Sequence, residues 1–109
     1  MHELAISQAV VDAVRERTGD QRVRSLRLVV GRLSGVVPDA LRFSFELVAE
    51  GTPLEGADLV IEEPGGRARC RSCGTEFGTE DLVVLCPCGS ADVAVTAGSE
   101  LLVRSVEVA

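Results

Sequence analysis

Four cysteines lie within nineteen positions of a chain of 109 residues, and they constrain its fold more than any other feature. They are Cys70, Cys73, Cys86 and Cys88. Two residues separate the first pair, a spacing that lets two thiolates bind one ion from a tight turn, and a glycine follows each pair. Only Pro87 separates the second pair, so its loop must differ. Four thiolates predict a closed tetrahedral zinc site.

Other roles for these thiols stay open at this point. Two disulfides are disfavoured if the chain lives among reducing thiols, and a redox dithiol needs a lowered pKa, usually at a helix start. A four-thiolate iron site is chemically allowed. Structural zinc is favoured because the surrounding 30 residues or so lack a core, and zinc supplies about 10–16 kcal/mol of apparent binding free energy. Such a site has no open position for water, so zinc hydrolysis is not expected and we predict a protein that is not an enzyme.

The rest of the chain predicts an α+β fold. Helical spacing over residues 4–18 collects one apolar stripe, and Gly19 ends the helix. A second helix begins near Val37, before Pro38. The stripe of the first helix is Leu4, Ile6, Val10, Val11 and Val14, and that of the second is Leu41, Phe45 and Val48.

Three strands are predicted beside these helices, over 23–33, 58–63 and 101–108. In the first of them, Leu26, Leu28 and Val30 recur at a period of two, with Ser25 and Arg27 on the other face. We expect a two-layer domain of two helices on a three-stranded sheet, with a small zinc-binding domain inserted before the last strand, which returns to the sheet.

Composition restricts the functions available. The net charge is −6 and the isoelectric point is about 4.7, which argues against sequence-independent nucleic-acid binding. No apolar run approaches the roughly 20 residues that span a bilayer, and no secretory signal is recognisable, so we expect a cytoplasmic protein without a membrane segment. The alternative function is a zinc-ribbon module that binds protein or nucleic acid through Arg67, Arg69 and Arg71, which alternate onto one face.

The amino terminus offers a second metal-binding possibility. Met1-His2-Glu3 provides an α-amine, a backbone nitrogen and an imidazole nitrogen in consecutive chelate rings, and the backbone nitrogen or carboxylate of Glu3 is available to complete the set. Ni(II) and Cu(II) favour such tetragonal nitrogen sets. Taken alone this signal is weak, because a histidine at a helix start is usually just solvated, and Glu3 also complements the helix dipole.

The combination of motifs closely resembles the HypA family of hydrogenase nickel incorporation proteins. The motifs are Met1-His2-Glu3-Leu4, residues 31–38 (GRLSGVVP), residues 41–46 (LRFSFE), the cysteine pairs, Gly98-Ser99-Glu100 and Ser105-Val106-Glu107-Val108. The resemblance covers essentially the whole chain. The family more often has two residues between the last two cysteines, so Pro87 is a departure.

The resemblance implies a nickel metallochaperone for the maturation of nickel-iron hydrogenase. Transient Ni(II) would be held by Met1, His2 and Glu3, and structural Zn(II) by Cys70, Cys73, Cys86 and Cys88. Residues 1–66 plus 96–109 would form the nickel-binding domain and 67–95 the inserted zinc-binding domain. The implied partners are the GTPase HypB and the hydrogenase large subunit, and some members also serve urease. The sequence does not distinguish a monomer from a homodimer.

Overall fold

The computed structural model describes residues 2–109 as two helices and six strands. In chain order these are α1 (Glu3–Thr18), β1 (Val23–Val30), α2 (Pro38–Ala49), β2 (Asp58–Glu62), β3 (Gly66–Cys70), β4 (Glu76–Thr79), β5 (Val93–Ala97) and β6 (Leu101–Val108). The predicted α+β class is confirmed, as is the order α-β-α-β, insert, β. Neither helix in the described part of the chain has the length and apolar character needed to cross a membrane.

Helix α1 ends where the sequence predicts, but its buried face is rotated. Gly19 has φ 59° and its N–H donates to the carbonyl of Arg15, which caps the helix. Val11 and Val14 are buried as expected, whereas Leu4 is 55% exposed and its assignment to the buried stripe is wrong. Ser7 is buried instead, because its hydroxyl donates to the carbonyl of Leu41 at 3.2 Å. Since a satisfied hydroxyl loses little on burial, polar Ser7 can lie between the helices.

Helix α2 begins with Pro38 at its first turn, as predicted. Leu41, Phe45 and Ala49 are buried, and Val48 is only half-buried. Arg42 donates to the carbonyl of Leu59 in β2 at 2.5 Å, which fastens the helix to the neighbouring strand. The two predicted helices therefore pack their apolar sides inward.

Three strands form the sheet beside these helices, in the order β2-β1-β6. Leu26, Leu28 and Val30 of the central strand are buried, and Arg27 between them is exposed. The last strand returns beside the first, which confirms the expected three-stranded sheet.

A second three-stranded sheet, in the order β4-β3-β5, was not predicted. Both of its pairings are antiparallel, with Arg69 opposite Glu76 and Cys70 opposite Val93. Between residues 62 and 101 the buried apolar side chains are only Ala68, Cys70 and Cys86. This sheet consequently has almost no apolar core.

The chain divides into two compact units. The first comprises Met1–Leu28, Val36–Ile61 and Leu102–Ala109, and the second comprises Val29–Gly35 and Glu62–Leu101. The second unit contains all four cysteines and is larger than the 67–95 segment of the predicted insert. The predicted nickel-binding and zinc-binding domain boundaries stay a prediction.

Candidate metal centre

The structure brings all four cysteine sulfurs together. Their Sγ atoms all lie within 4.8 Å of one another. Cys70 is the last residue of β3, and the second pair lies in the segment leading to β5. Because β3 and β5 are antiparallel, the loop that follows one and the loop that precedes the other meet at the same end of the sheet. The two cysteine pairs therefore converge on one point.

The distances between the sulfurs fit a tetrahedral ion. The Sγ of Cys70 lies 3.8 Å from that of Cys88, and the Sγ of Cys73 lies 3.6 Å from that of Cys86. Four thiolates at the zinc–sulfur distance of about 2.3 Å stand about 3.8 Å apart in a regular tetrahedron. All four cysteines are free in the structure, so the disulfide alternative has no support from it. The four-cysteine cluster is consistent with a structural zinc site.

The two cysteine loops are hairpins with the same hydrogen-bonding scheme and different lengths. In the first, the Cys70 N–H donates to the Thr75 carbonyl and the Gly74 N–H donates to the Cys70 carbonyl, both at 2.9 Å. In the second, the Cys86 N–H donates to the Ser90 carbonyl at 2.9 Å, and the Gly89 N–H donates to the Cys86 carbonyl at 2.8 Å. Each bond of the second loop closes one residue earlier, which accommodates the single Pro87. The shorter spacing removes a residue from the loop but no thiol from the cluster.

Contacts with the backbone and with a threonine favour the thiolate form of two cysteines in this cluster. The Cys73 N–H lies 3.4 Å from the Cys70 sulfur and lowers the pKa of that thiol. The Thr75 hydroxyl, 3.2 Å from the Cys73 sulfur, lowers the pKa of Cys73 to about 6. Both thiols are thereby prepared to bind a cation as thiolates.

Cys86 differs from these two thiols. The Cys88 N–H lowers its pKa, but burial and the neighbouring sulfurs outweigh that bond and raise the pKa to about 12. A buried thiol among three others resists adding another negative charge when no cation is present. The cluster therefore needs a positive ion to hold four thiolates at once.

At the other candidate site, the structure describes His2 and Glu3, while Met1 lies outside the described residues. His2 is exposed at the N-cap position of α1, and its carbonyl accepts the Ile6 N–H at 3.0 Å. Glu3 is the first helical residue, and its carboxylate accepts the Val37 N–H at 3.0 Å. This bond lowers the pKa of Glu3. The start of α1 is thus fastened to the start of α2.

The link between Glu3 and Val37 is a feature that sequence reasoning missed. Val37 occupies the N-cap of α2 and has no side-chain acceptor for the exposed N–H groups of the first turn. The signal available in the sequence was the apolar residue before Pro38, because an apolar N-cap leaves backbone N–H groups that another part of the chain must accept. Which group does so depends on a contact spanning 34 residues, which local patterns do not reveal.

The arginine stripe of the alternative function is only partly available. Arg67 and Arg69 alternate with buried residues along β3 and are exposed, as predicted. Arg69 stands opposite Glu76, and the guanidinium of Arg71 lies 3.1 Å from the Asp92 carboxylate. The acidic neighbours reduce the positive potential that a nucleic-acid site requires.

Comparison with known proteins decides the family. A family model described as hydrogenase/urease nickel incorporation, metallochaperone, HypA matches residues 1–108. The chain belongs to the HypA family. The hydrogenase maturation factor HypA of Streptomyces avermitilis is 51% identical over 112 residues, covering 97% of this chain and 86% of the relative. That of Geobacter metallireducens is 47% identical over 109 residues, covering 99% of both chains.

A solved HypA structure has the same fold. The solution structure of the Ni metallochaperone HypA from Helicobacter pylori matches with a TM-score of 0.66 at 22% identity, over 99% of this chain and 97% of that one. The identification from sequence motifs is confirmed, and with it the family role of a nickel metallochaperone in hydrogenase maturation.

Proposed function

We propose that this chain binds Ni(II) at its amino terminus, through Met1, His2 and Glu3, and delivers it during maturation of nickel-iron hydrogenase. Membership of the HypA family over residues 1–108 is the observation that carries the proposal. The exposure of His2 supports it, because a delivered ion must be reachable by its acceptor. Nitrogen ligands in consecutive chelate rings suit the tetragonal preference of Ni(II).

Glu3 completes the nickel ligand set through its backbone nitrogen or its carboxylate. The carboxylate is already engaged by the Val37 N–H. That bond holds the start of α1 at a fixed place next to the start of α2.

The second metal has a different task. Cys70, Cys73, Cys86 and Cys88 hold Zn(II), which ties together the two hairpins of a sheet that buries little else. Bound there, zinc would supply positive charge for structure and would offer no open position for water activation. Residues 67–95 act as the zinc-binding domain, and residues 1–66 with 96–109 as the nickel-binding domain.

Delivery of nickel needs partner proteins, but no covalent bond of a substrate is made or broken. Acceptor groups replace the nickel ligands one at a time, which avoids releasing a free ion. The partners are the GTPase HypB and the hydrogenase large subunit in the cytoplasm, and urease maturation is a further use in some members. The protein acts as a carrier rather than an enzyme, as a monomer or a homodimer.

Nickel titration of the full chain with its native start tests the proposal. We expect tight one-to-one binding that weakens by at least about tenfold, or about 1.4 kcal/mol, in His2→Ala and in a chain extended by three residues before Met1. The control carries the same three residues after Ala109. Equal affinity in all four proteins contradicts binding at the amino terminus.

A further inference from the structure

Polar side chains connect the two cysteine hairpins directly. Arg71 and Ser72 lie between the first two cysteines, and Ser90 and Asp92 follow the second pair. The hydroxyls of Ser72 and Ser90 are 3.0 Å apart. The Asp92 N–H donates to the Ser90 hydroxyl at 3.1 Å, which fixes that side chain. The hydroxyl pair therefore spans from one metal-binding loop to the other.

Arg71 makes a second connection next to it. Its backbone N–H donates to the Asp92 carbonyl at 2.9 Å, which extends the pairing of β3 and β5 beyond Cys70. Its guanidinium lies 3.1 Å from both the Asp92 carboxylate and the Val93 carbonyl. The side chain thus holds the segment that leaves the short hairpin against the end of β3.

We propose that Arg71, Ser72, Ser90 and Asp92 form a clamp that positions the short Cys86-Pro87-Cys88 hairpin and sets how slowly zinc leaves the cluster. The proposal rests on the zinc site proposed above. These four are positioning residues. None of them carries a thiol, so each acts through the placement of a cysteine loop.

The clamp is required because little else orients this hairpin. It has one residue fewer between its cysteines than the first loop, so its backbone has less freedom to adjust the positions of the two sulfurs. Cys73 and Cys88 are exposed, and the surrounding aliphatic side chains Leu82, Val83 and Leu85 are 54–77% exposed rather than packed against it. With no core beneath the loops, polar contacts between them determine the sulfur positions.

The two halves of the clamp are not equal. The carboxylate and guanidinium of the ion pair are about 60% exposed, and exposed ion pairs contribute little. The Ser90 hydroxyl contacts both the Ser72 hydroxyl and the Asp92 N–H, so its loss removes two contacts at once. Loss of the Ser90 hydroxyl should therefore matter more than loss of the Arg71 charge.

The rate of zinc release from the full chain to excess chromophoric chelator tests the clamp, after native mass spectrometry has established one zinc per wild-type chain. Groups outside the ligand shell typically change metal affinity by about 10–100-fold, so we expect Ser90→Ala to release zinc about tenfold faster. Arg71→Ala should have a smaller effect in the same direction. Ser99→Ala and Arg69→Ala, which remove matched exposed groups from the same compact unit, should release zinc at the wild-type rate.

Two further variants separate positioning from general destabilisation. Ser90→Thr restores the hydroxyl and should restore slow release. In the Co(II)-substituted protein, Ser90→Ala should shift the visible spectrum of the thiolate-bound ion, and Ser99→Ala should not. Release from Ser72→Ala, Ser90→Ala and Arg71→Ala at the wild-type rate overturns the clamp while leaving the zinc site intact. A wild-type protein that binds no zinc overturns the site and the clamp together.

Discussion

The start of α1 and the cysteine cluster are two candidate metal sites built on opposite principles. His2 and Glu3 begin a helix whose inner face, with Val11 and Val14, belongs to the apolar core. The cysteines lie at the end of a sheet whose buried apolar residues between 62 and 101 are Ala68 and two of the cysteines themselves. A site whose support folds without the ion can release it, whereas a site that replaces a core must keep it. Burial of apolar side chains around a site therefore distinguishes the proposed cargo site from the proposed structural site.

Zinc removal should produce the largest difference between the two regions. Structural zinc supplies about 10–16 kcal/mol of apparent binding free energy, more than the sparse burial in the cysteine-bearing sheet provides. We expect chelation, or Cys70→Ser, to collapse the amide signals of β3, β4 and β5 in two-dimensional NMR spectra of the full chain. The signals of α1 and α2 should persist. Simultaneous loss of the strand signals and the helix signals contradicts the independence of the helical core from the metal.

A core substitution should have the converse effect. Phe45 is 3% exposed in α2, and truncating a buried phenylalanine typically costs about 3–5 kcal/mol. Phe45→Ala should therefore lower the denaturation midpoint of the first unit while the zinc content stays at one ion per chain. Phe43, at 64% exposure on the same helix, provides the matched control, and Phe43→Ala should change stability by less than about 0.5 kcal/mol. Equal losses in the two variants contradict the assigned core.

The Glu3 link should produce the smallest effect, and a pH-dependent one. The Val37 N–H lowers the pKa of Glu3 in the folded chain, so the ionised carboxylate stabilises the fold above the unfolded-state pKa. That contribution is lost as the pH falls through the folded-state pKa.

Urea denaturation of Glu3→Gln, which keeps an acceptor and loses only the charge, checks the sign. The variant should be less stable than the wild type at neutral pH and equally stable in strong acid. Glu16→Gln on the exposed side of α1 is the control and should match the wild type throughout. A Glu3→Gln deficit that stays constant with pH contradicts the account.

The parts of the fold that could be predicted are those whose burial follows a local period. Leu26, Leu28 and Val30 recur at a period of two and are buried as predicted. Gly19 follows the end of α1, and Pro38 begins α2. The sheet of β3, β4 and β5 was not predicted because the buried positions of β3 are Gly66, Ala68 and Cys70. These residues are small, so they give no clear hydrophobic pattern.

The candidate sites show the same limit. The spacing of the cysteines predicted that the four would converge, because residue type and spacing alone indicate a thiol cluster. Spacing did not reveal the hydroxyl contact between Ser72 and Ser90, or the bond from the Val37 N–H to the Glu3 carboxylate. Both contacts depend on tertiary structure. The burial of Ser7 rather than Leu4 on the inner face of α1 was missed for the same reason, because the hydrogen-bond partner of Ser7 is on the other helix.

X-ray absorption spectroscopy at the nickel edge, on full-length protein with its native start and with zinc already bound, tests the central claim most directly. We expect nickel surrounded by nitrogen and oxygen ligands in a planar arrangement, including an imidazole signature that disappears in His2→Ala. Nickel with sulfur ligands, and a spectrum unchanged by His2→Ala, would contradict it.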